Sequence, residues 1–222
     1  MIEIVSSLKN SFEKNANPLS ASKMSTYMKN KFCYYGIKAP LRNELIKEWL
    51  LETKNSNVNF WGLIHHLWNL DQREYQYVAI ELLKKKKADF FSFSDIHEIE
   101  GLITSKSWWD TVDLIAADTL GKYLIKFPDQ KIKIISDFSE RDNLWLNRST
   151  LIFQLKYKDK LDFELLKSLV IHHYPNKDFF IQKAIGWSLR QYAKTAPNEV
   201  LNFVIQTNLD GLAKREALKK LT

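Results

Sequence analysis

Four stretches carry the reading of the fold: REYQYVAIELL (73–83), WWDTVDLIAAD (108–118), NLWLNRSTLIF (143–153) and DFFIQKAIGWS (178–188). In each, an aromatic residue opens the repeat register, Tyr75, Trp109, Trp145 and Phe180, and these recur at spacings of 34, 36 and 35 residues. Apolar residues within each stretch fall three and four apart, the period of one helix face. A period near 35 residues, built from two helices, is the pattern of a helical solenoid of the HEAT kind. The expected fold is therefore all-α, a solenoid of HEAT-like repeats in antiparallel helix pairs. Such stacking gives a curved body whose basic concave face is lined by the second helices.

Working outward, the spacing stays helical. Leu45, Ile46, Trp49 and Leu50 follow Pro40, which suits a first turn. Phe60, Leu63, Ile64, Leu67 and Trp68 form an unbroken apolar stripe, and Trp49, Trp61 and Trp68 read as packing residues. Tyr75–Leu83 ends in Lys84 to Lys87, a solvated helix end that complements the dipole. Ser94-Asp95 offers an N-cap, Ser107 is expected to cap a helix running through Tyr123, and Pro128 marks a break. Further helices are predicted at roughly 129–139, 144–158, 163–173, 178–194, 198–207 and 212–221. No alternating strand is evident, and no interior linker divides the chain, so residues 1–222 read as a single HEAT-like repeat domain.

Composition agrees. Six Gly and five Pro in 222 residues are few for a barrel or sandwich. The 33 Lys and Arg against 26 Asp and Glu leave +7, which suits a polyanionic partner. A single cysteine excludes a disulfide framework, and Cys33, beside Phe32, Tyr34 and Tyr35, reads as a small buried apolar residue. The N-terminus lacks the basic-then-apolar order of a signal peptide, and no segment is long and apolar enough to span a bilayer, so a cytoplasmic setting is expected.

Within the repeat register, the residue four after the opening aromatic is Ala79, Asp113, Ser149 or Ala184. Three small residues and one carboxylate occupy equivalent places. Four residues is one helical turn, so Trp109 and Asp113 share a face. Arg148 lies three after Trp145, and Trp187 seven after Phe180, each on its aromatic's side. A carboxylate between indole faces favours a cation, and cleaving an N-glycosidic bond generates one on the sugar. On this reading Arg148 holds a phosphate bidentately, and Asp113 also orients the attacking water. Spacing alone leaves a structural role for the aromatics open, and one of Trp108 and Trp109 is expected in the core. Asp110 is read as a first-turn residue complementing the dipole. Adjacent histidines (His65-His66, His172-His173) make poor paired metal ligands, and no glycine-rich phosphate loop or serine elbow is present.

The segments TSKSWWDTVD (104–113), RDNLWLNRSTLIFQLKYK (141–158), KDFFIQKAIGWSLRQYAKT (177–195), LAKREALKK (212–220) and YMKNKFCYYGIKAPLR (27–42) closely resemble the AlkD family of DNA alkylation repair enzymes. The resemblance covers nearly the whole chain. It implies a monofunctional DNA glycosylase that removes positively charged N3- and N7-alkylated purines, 3-methyladenine and 7-methylguanine, without classical base flipping. It implies Asp113 as the catalytic carboxylate, Trp109 and Trp187 as walls against the deoxyribose, and Arg148 as a DNA-contacting residue essential to the site. Tyr27, Lys156, Arg190 and Lys194 lie on matching segments as candidate DNA contacts, and Lys38 falls where a polar residue near the groove is expected. The implied partner is double-stranded DNA containing alkylated purines, bound by a monomer on chromosomal DNA in the bacterial cytoplasm. No metal or organic cofactor is implied. The competing reading is a HEAT-repeat protein that binds branched or damaged DNA without excision, and a third is a scaffold for proteins.

Overall fold

A computed structural model describes residues 2–219 and Leu221. Its helices gather into two compact units, Met1–Lys86 and Lys87–Thr222. Among the described residues there is no β-strand, only an isolated bridge between Cys33 and Gln72. No described helix is long and apolar enough to cross a membrane.

The first unit holds α1 (Ile2–Lys14), α2 (Pro18–Tyr27), α3 (Ala39–Asn55), α4 (Phe60–Asn69) and α5 (Arg73–Lys84). Neither α1 nor α2 was expected from the sequence. The first carries a readable stripe, since Val5, Leu8 and Phe12 are all buried. The second buries no residue and rests on its cap, where the Asn17 side chain accepts from the Ser20 N–H. Pro40 lies in the first turn of α3, as expected, and Trp49 packs there with its Nε1–H donating to the Ile4 carbonyl at 2.8 Å.

One buried carboxylate fastens the segment before α3. Glu74 is fully buried and accepts from the backbone N–H groups of Tyr35, Gly36 and Ile37, at 3.1, 2.9 and 3.1 Å. Gly36 has φ +88°, and a Cβ there would stand 2.2 Å from the Asn17 carbonyl oxygen, so only glycine fits. Cys33 corrects the sequence reading: it is exposed. Its backbone carbonyl accepts from Arg73 N–H, while neighbouring Phe32 takes the inward place under the Arg73 guanidinium, 3.7 Å from the ring centre. Alternation along an extended segment sends adjacent side chains to opposite faces, which the apolar neighbours of Cys33 concealed.

The second unit is a succession of helix pairs: α6 (Asp95–Thr104), α7 (Trp109–Leu114), a π-helical stretch (Ile115–Leu120) leading without a break into α8 (Gly121–Lys126), α9 (Lys131–Glu140), α10 (Leu144–Ile152), α11 (Phe163–His173), α12 (Phe179–Tyr192), α13 (Pro197–Gln206) and α14 (Gly211–Leu218). First and second helices of a pair pack together, as in α9 with α10 and α11 with α12. Second helices also stack in sequence, α7 on α10, α10 on α12 and α12 on α14, as a helical repeat requires.

Two boundaries depart from expectation. Ser107 does not cap the helix that follows; its hydroxyl donates back to the Ile103 carbonyl at 2.6 Å, closing α6. And α10 stops at Ile152, six residues short of the predicted end. Tertiary bonds take over there: Gln154 and Asp162 exchange two hydrogen bonds, and Tyr157 Oη–H donates to the Gly121 carbonyl at 2.8 Å.

The α12–α14 contact depends on Gly186, where a Cβ would lie 2.3 Å from Glu216 Cβ and 2.8 Å from the Ala213 carbonyl oxygen. Neither neighbour is the free end of a flexible chain. Gly186→Ala therefore forces α14 outward, and overpacking of this kind costs about 1–3 kcal/mol. A thermal melt should show the loss, and an unchanged melting temperature would mean that α14 is not docked as described.

Candidate active site

Asp113 lies one turn into α7 and Arg148 in the middle of α10, on helices that pack directly. The guanidinium grips the carboxylate with both arms: Nε donates to Oδ1 at 2.7 Å and Nη2 to Oδ2 at 2.8 Å. Its third arm, Nη1, donates to the Phe180 carbonyl in the first turn of α12. One arginine thus ties three successive second helices together. The side chains are 5% exposed for Arg148 and 14% for Asp113.

Burial pushes the Asp113 carboxyl above the ordinary aspartate value, and Asp110 nearby adds to the push. The Arg148 hydrogen bonds and charge pull the other way. Without the arginine, a carboxylate this deep would hold its proton more strongly still.

Trp108 packs with Trp145 and Phe180, with ring centres 5.6 and 5.2 Å away, and Trp145 and Phe180 are 5.1 Å apart. Trp108 is half-buried in this cluster, so neither tryptophan of the pair lies fully in the core. Trp109 opens α7 one turn before Asp113 and is half-buried. Trp187 is also half-buried, two turns beyond Phe180 on α12. The two indoles stand on the helices flanking α10, which carries Arg148. The register reading also stands out in burial, because Ala79, Ser149 and Ala184 are completely buried while Asp113 keeps an accessible edge.

The outer candidates are placed less uniformly. Arg190 Nη1 donates to the backbone carbonyl and Oε2 of Glu216, at 2.7 and 2.5 Å. Lys183 joins at 2.8 Å, and together these cations hold the Glu216 carboxyl down to about 2. Arg190 is thereby a clamp between α12 and α14. Lys194 is exposed, with its ammonium on Gln191 Oε1 at 2.7 Å. Lys156 pairs with Asp118. In the first unit, Tyr27 is exposed on a cleft of about 260 Å³ that Lys23, Tyr34, Lys38 and Tyr77 also line.

Three things escaped the sequence reading. Arg148 reads from the sequence as a phosphate ligand, whereas its fork is occupied by Asp113 and Phe180. The Phe180 carbonyl, a backbone acceptor, leaves no sequence signal at all. Asp118 sits five residues from Asp113, a spacing that marks no α-helical face. Among the described residues no group of three or more His, Cys, Asp or Glu is placed to hold a metal ion. Of the paired histidines, His173 is buried against Thr150 and Ser139, and burial lowers it to about 4.

The family model for DNA alkylation repair enzymes matches residues 8–221. The chain belongs to the DNA alkylation repair enzyme family. Among solved structures it is similar to a predicted DNA alkylation repair enzyme from Enterococcus faecalis, with a TM-score of 0.85 and 37% identity over 93% of this chain and 97% of that one. No curated protein matches it. Membership of the DNA alkylation repair family gives the chain a role in DNA repair and makes DNA its substrate.

Proposed function

We propose that this DNA alkylation repair enzyme is a monofunctional glycosylase for positively charged N3- and N7-alkylated purines. The observation that carries the reading is the Asp113–Arg148 pair: a carboxylate held rigid by a two-armed guanidinium on the helix face that also bears Trp109. Such a carboxylate is preorganised, so it stabilises developing positive charge with little rearrangement at the moment of reaction. An alkylated purine already carries its charge and leaves without protonation. What remains is to stabilise the oxocarbenium-like deoxyribose, and Asp113 is the residue for that. Trp109 and Trp187 supply indole faces that favour a cation, and Asp113 orients water for attack at C1′.

Arg148 acts through Asp113, fixing the carboxylate plane and keeping it ionised despite burial. It also reduces what Asp113 can deliver. At an effective dielectric of about 20, a sugar cation ~4 Å from the carboxylate gains ~4 kcal/mol, and a guanidinium ~8 Å away returns ~2 kcal/mol. The net ~2 kcal/mol is about thirtyfold in rate if confined to the transition state. The tryptophans and the positioned water must supply the rest. In this reading the protein works as a monomer and single domain, in the cytoplasm, on double-stranded DNA, with Tyr27, Lys156, Arg190 and Lys194 as contacts and no cofactor. The lesion reacts without being flipped into a closed pocket.

A base-release assay on methylated duplex DNA tests this directly. Free 7-methylguanine or 3-methyladenine should appear, with no strand nicking before heat or alkali. No lysine serves as nucleophile, so borohydride should trap no adduct. Tight binding of the damaged duplex without any released base would favour the non-catalytic DNA-binding protein instead.

A further inference from the structure

The helix that carries Asp113 changes its winding immediately afterwards. Over Ile115–Leu120 it is π-helical, and the Gly121 N–H reaches the Ala116 carbonyl five residues back. Side chains five apart on an α-helix point about 140° away from one another. The wider i→i+5 turn brings them toward one side, and π segments inside α-helices are frequent at functional sites. Here the consequence is visible. Asp113 pairs with Arg148, and Asp118 pairs with Lys156, so both carboxylates address one segment, α10 and the turn after it.

The two pairs differ in one respect that matters for DNA. Arg148 is 5% exposed, whereas Lys156 is 55% exposed and its partner Asp118 only 9%. Asp118 also takes the Lys122 ammonium at 2.6 Å, so two cations share one carboxylate. The turn bearing Lys156 is itself held against the end of the π segment. Tyr157 donates to the Gly121 carbonyl, and a Cβ on Gly121 would stand 2.8 Å from the Phe153 carbonyl oxygen.

We propose that Asp118 is a positioning residue, presented by the π turn, that fixes Lys156 to receive a DNA phosphate beside the Asp113–Arg148 pair. The inference rests on the reading of this face as the DNA-repair site. A free lysine loses much rotamer freedom when it binds. Asp118 has Lys156 ordered beforehand, so the phosphate meets a cation already in place.

Binding to an undamaged duplex across a salt series, together with kcat/KM for base release, tests the idea. Lys156→Gln should lower the slope of log K against log salt by about 0.9, the share of one phosphate contact. Asp118→Asn should weaken binding at every salt concentration with the slope little changed, because Lys156 still reaches the phosphate but must first be ordered. Each variant should lose about tenfold in kcat/KM, and the double variant no more than either, since both act through one contact. Asp118→Glu, which keeps the charge, should recover most of the loss and covers the case in which Asp118→Asn fails to fold. Binding by Asp118→Asn as tight as the wild type or tighter, or additive losses in the double variant, would overturn the proposal. The binding series needs no excision, so it judges Asp118 even where the wild type releases no base. Base release by a wild type whose slope Lys156→Gln leaves unchanged overturns this proposal alone.

Discussion

Asp113→Asn should slow base release by about a thousandfold while leaving salt-dependent DNA binding nearly intact. The size follows from charge alone. Removing one negative charge ~4 Å from a sugar cation, at an effective dielectric of about 20, forfeits ~4 kcal/mol, or about three powers of ten in rate. The partial cancellation by Arg148 does not reduce this figure, because the arginine stays behind and opposes the cation unaided. Asn occupies almost the same volume and keeps one oxygen for the guanidinium, so the α7–α10–α12 tie survives in part. Some stability is lost nonetheless, since Arg148 is buried and its second arm no longer meets a carboxylate. Single-turnover release on a methylated duplex, beside a binding isotherm at matched salt, separates chemistry from binding. A variant that releases base as fast as the wild type would remove Asp113 from the mechanism.

Much of this centre is legible in the sequence, and particular residues show why. A repeat holds its register because each equivalent position faces the same packing constraint. Three buried small residues at 79, 149 and 184 therefore made a carboxylate at 113 conspicuous. The helical face shared by Trp109 and Asp113 followed from four-residue spacing. What stayed hidden was set by tertiary contacts. Periodicity cannot show that α10 ends at Ile152, because the cause is an exchange of hydrogen bonds between Gln154 and Asp162. Nor can it show the π turn, since the 3.6-residue template excludes a five-residue face by construction. Trp108 and Trp109 are identical in type and adjacent, so spacing could not place Trp108 against Trp145 and Phe180. The two N-terminal helices fail for different reasons. The stripe of α1 was there to be read, while α2 buries nothing and has no apolar signal to offer.

Arg148→Met should move the acid limb of the pH–rate profile upward rather than lower the rate equally at every pH. Asp113 works as the carboxylate, so release rises with pH as the group loses its proton. Burial already sets that titration above the ordinary aspartate value in the wild type, and the influences that lower it are the hydrogen bonds and charge of Arg148. Removing them leaves burial and Asp110 to raise it further, and the variant at neutral pH carries a larger protonated, inactive fraction. At higher pH the carboxylate ionises again and no longer shares its field with a guanidinium. The ~2 kcal/mol that Arg148 returned to the cation is then relieved, worth up to about thirtyfold, set against a carboxylate held less rigidly. Linkage gives a check on the same titration. A carboxyl whose folded value lies above its unfolded one weakens the fold as pH rises from the unfolded value to the folded one. The variant should therefore melt lower relative to wild type as pH rises through its displaced limb, reaching its full deficit above it. A rate depressed by one factor across the whole range, with no displaced limb, would mean that Arg148 serves the reaction by touching DNA and not by keeping Asp113 charged.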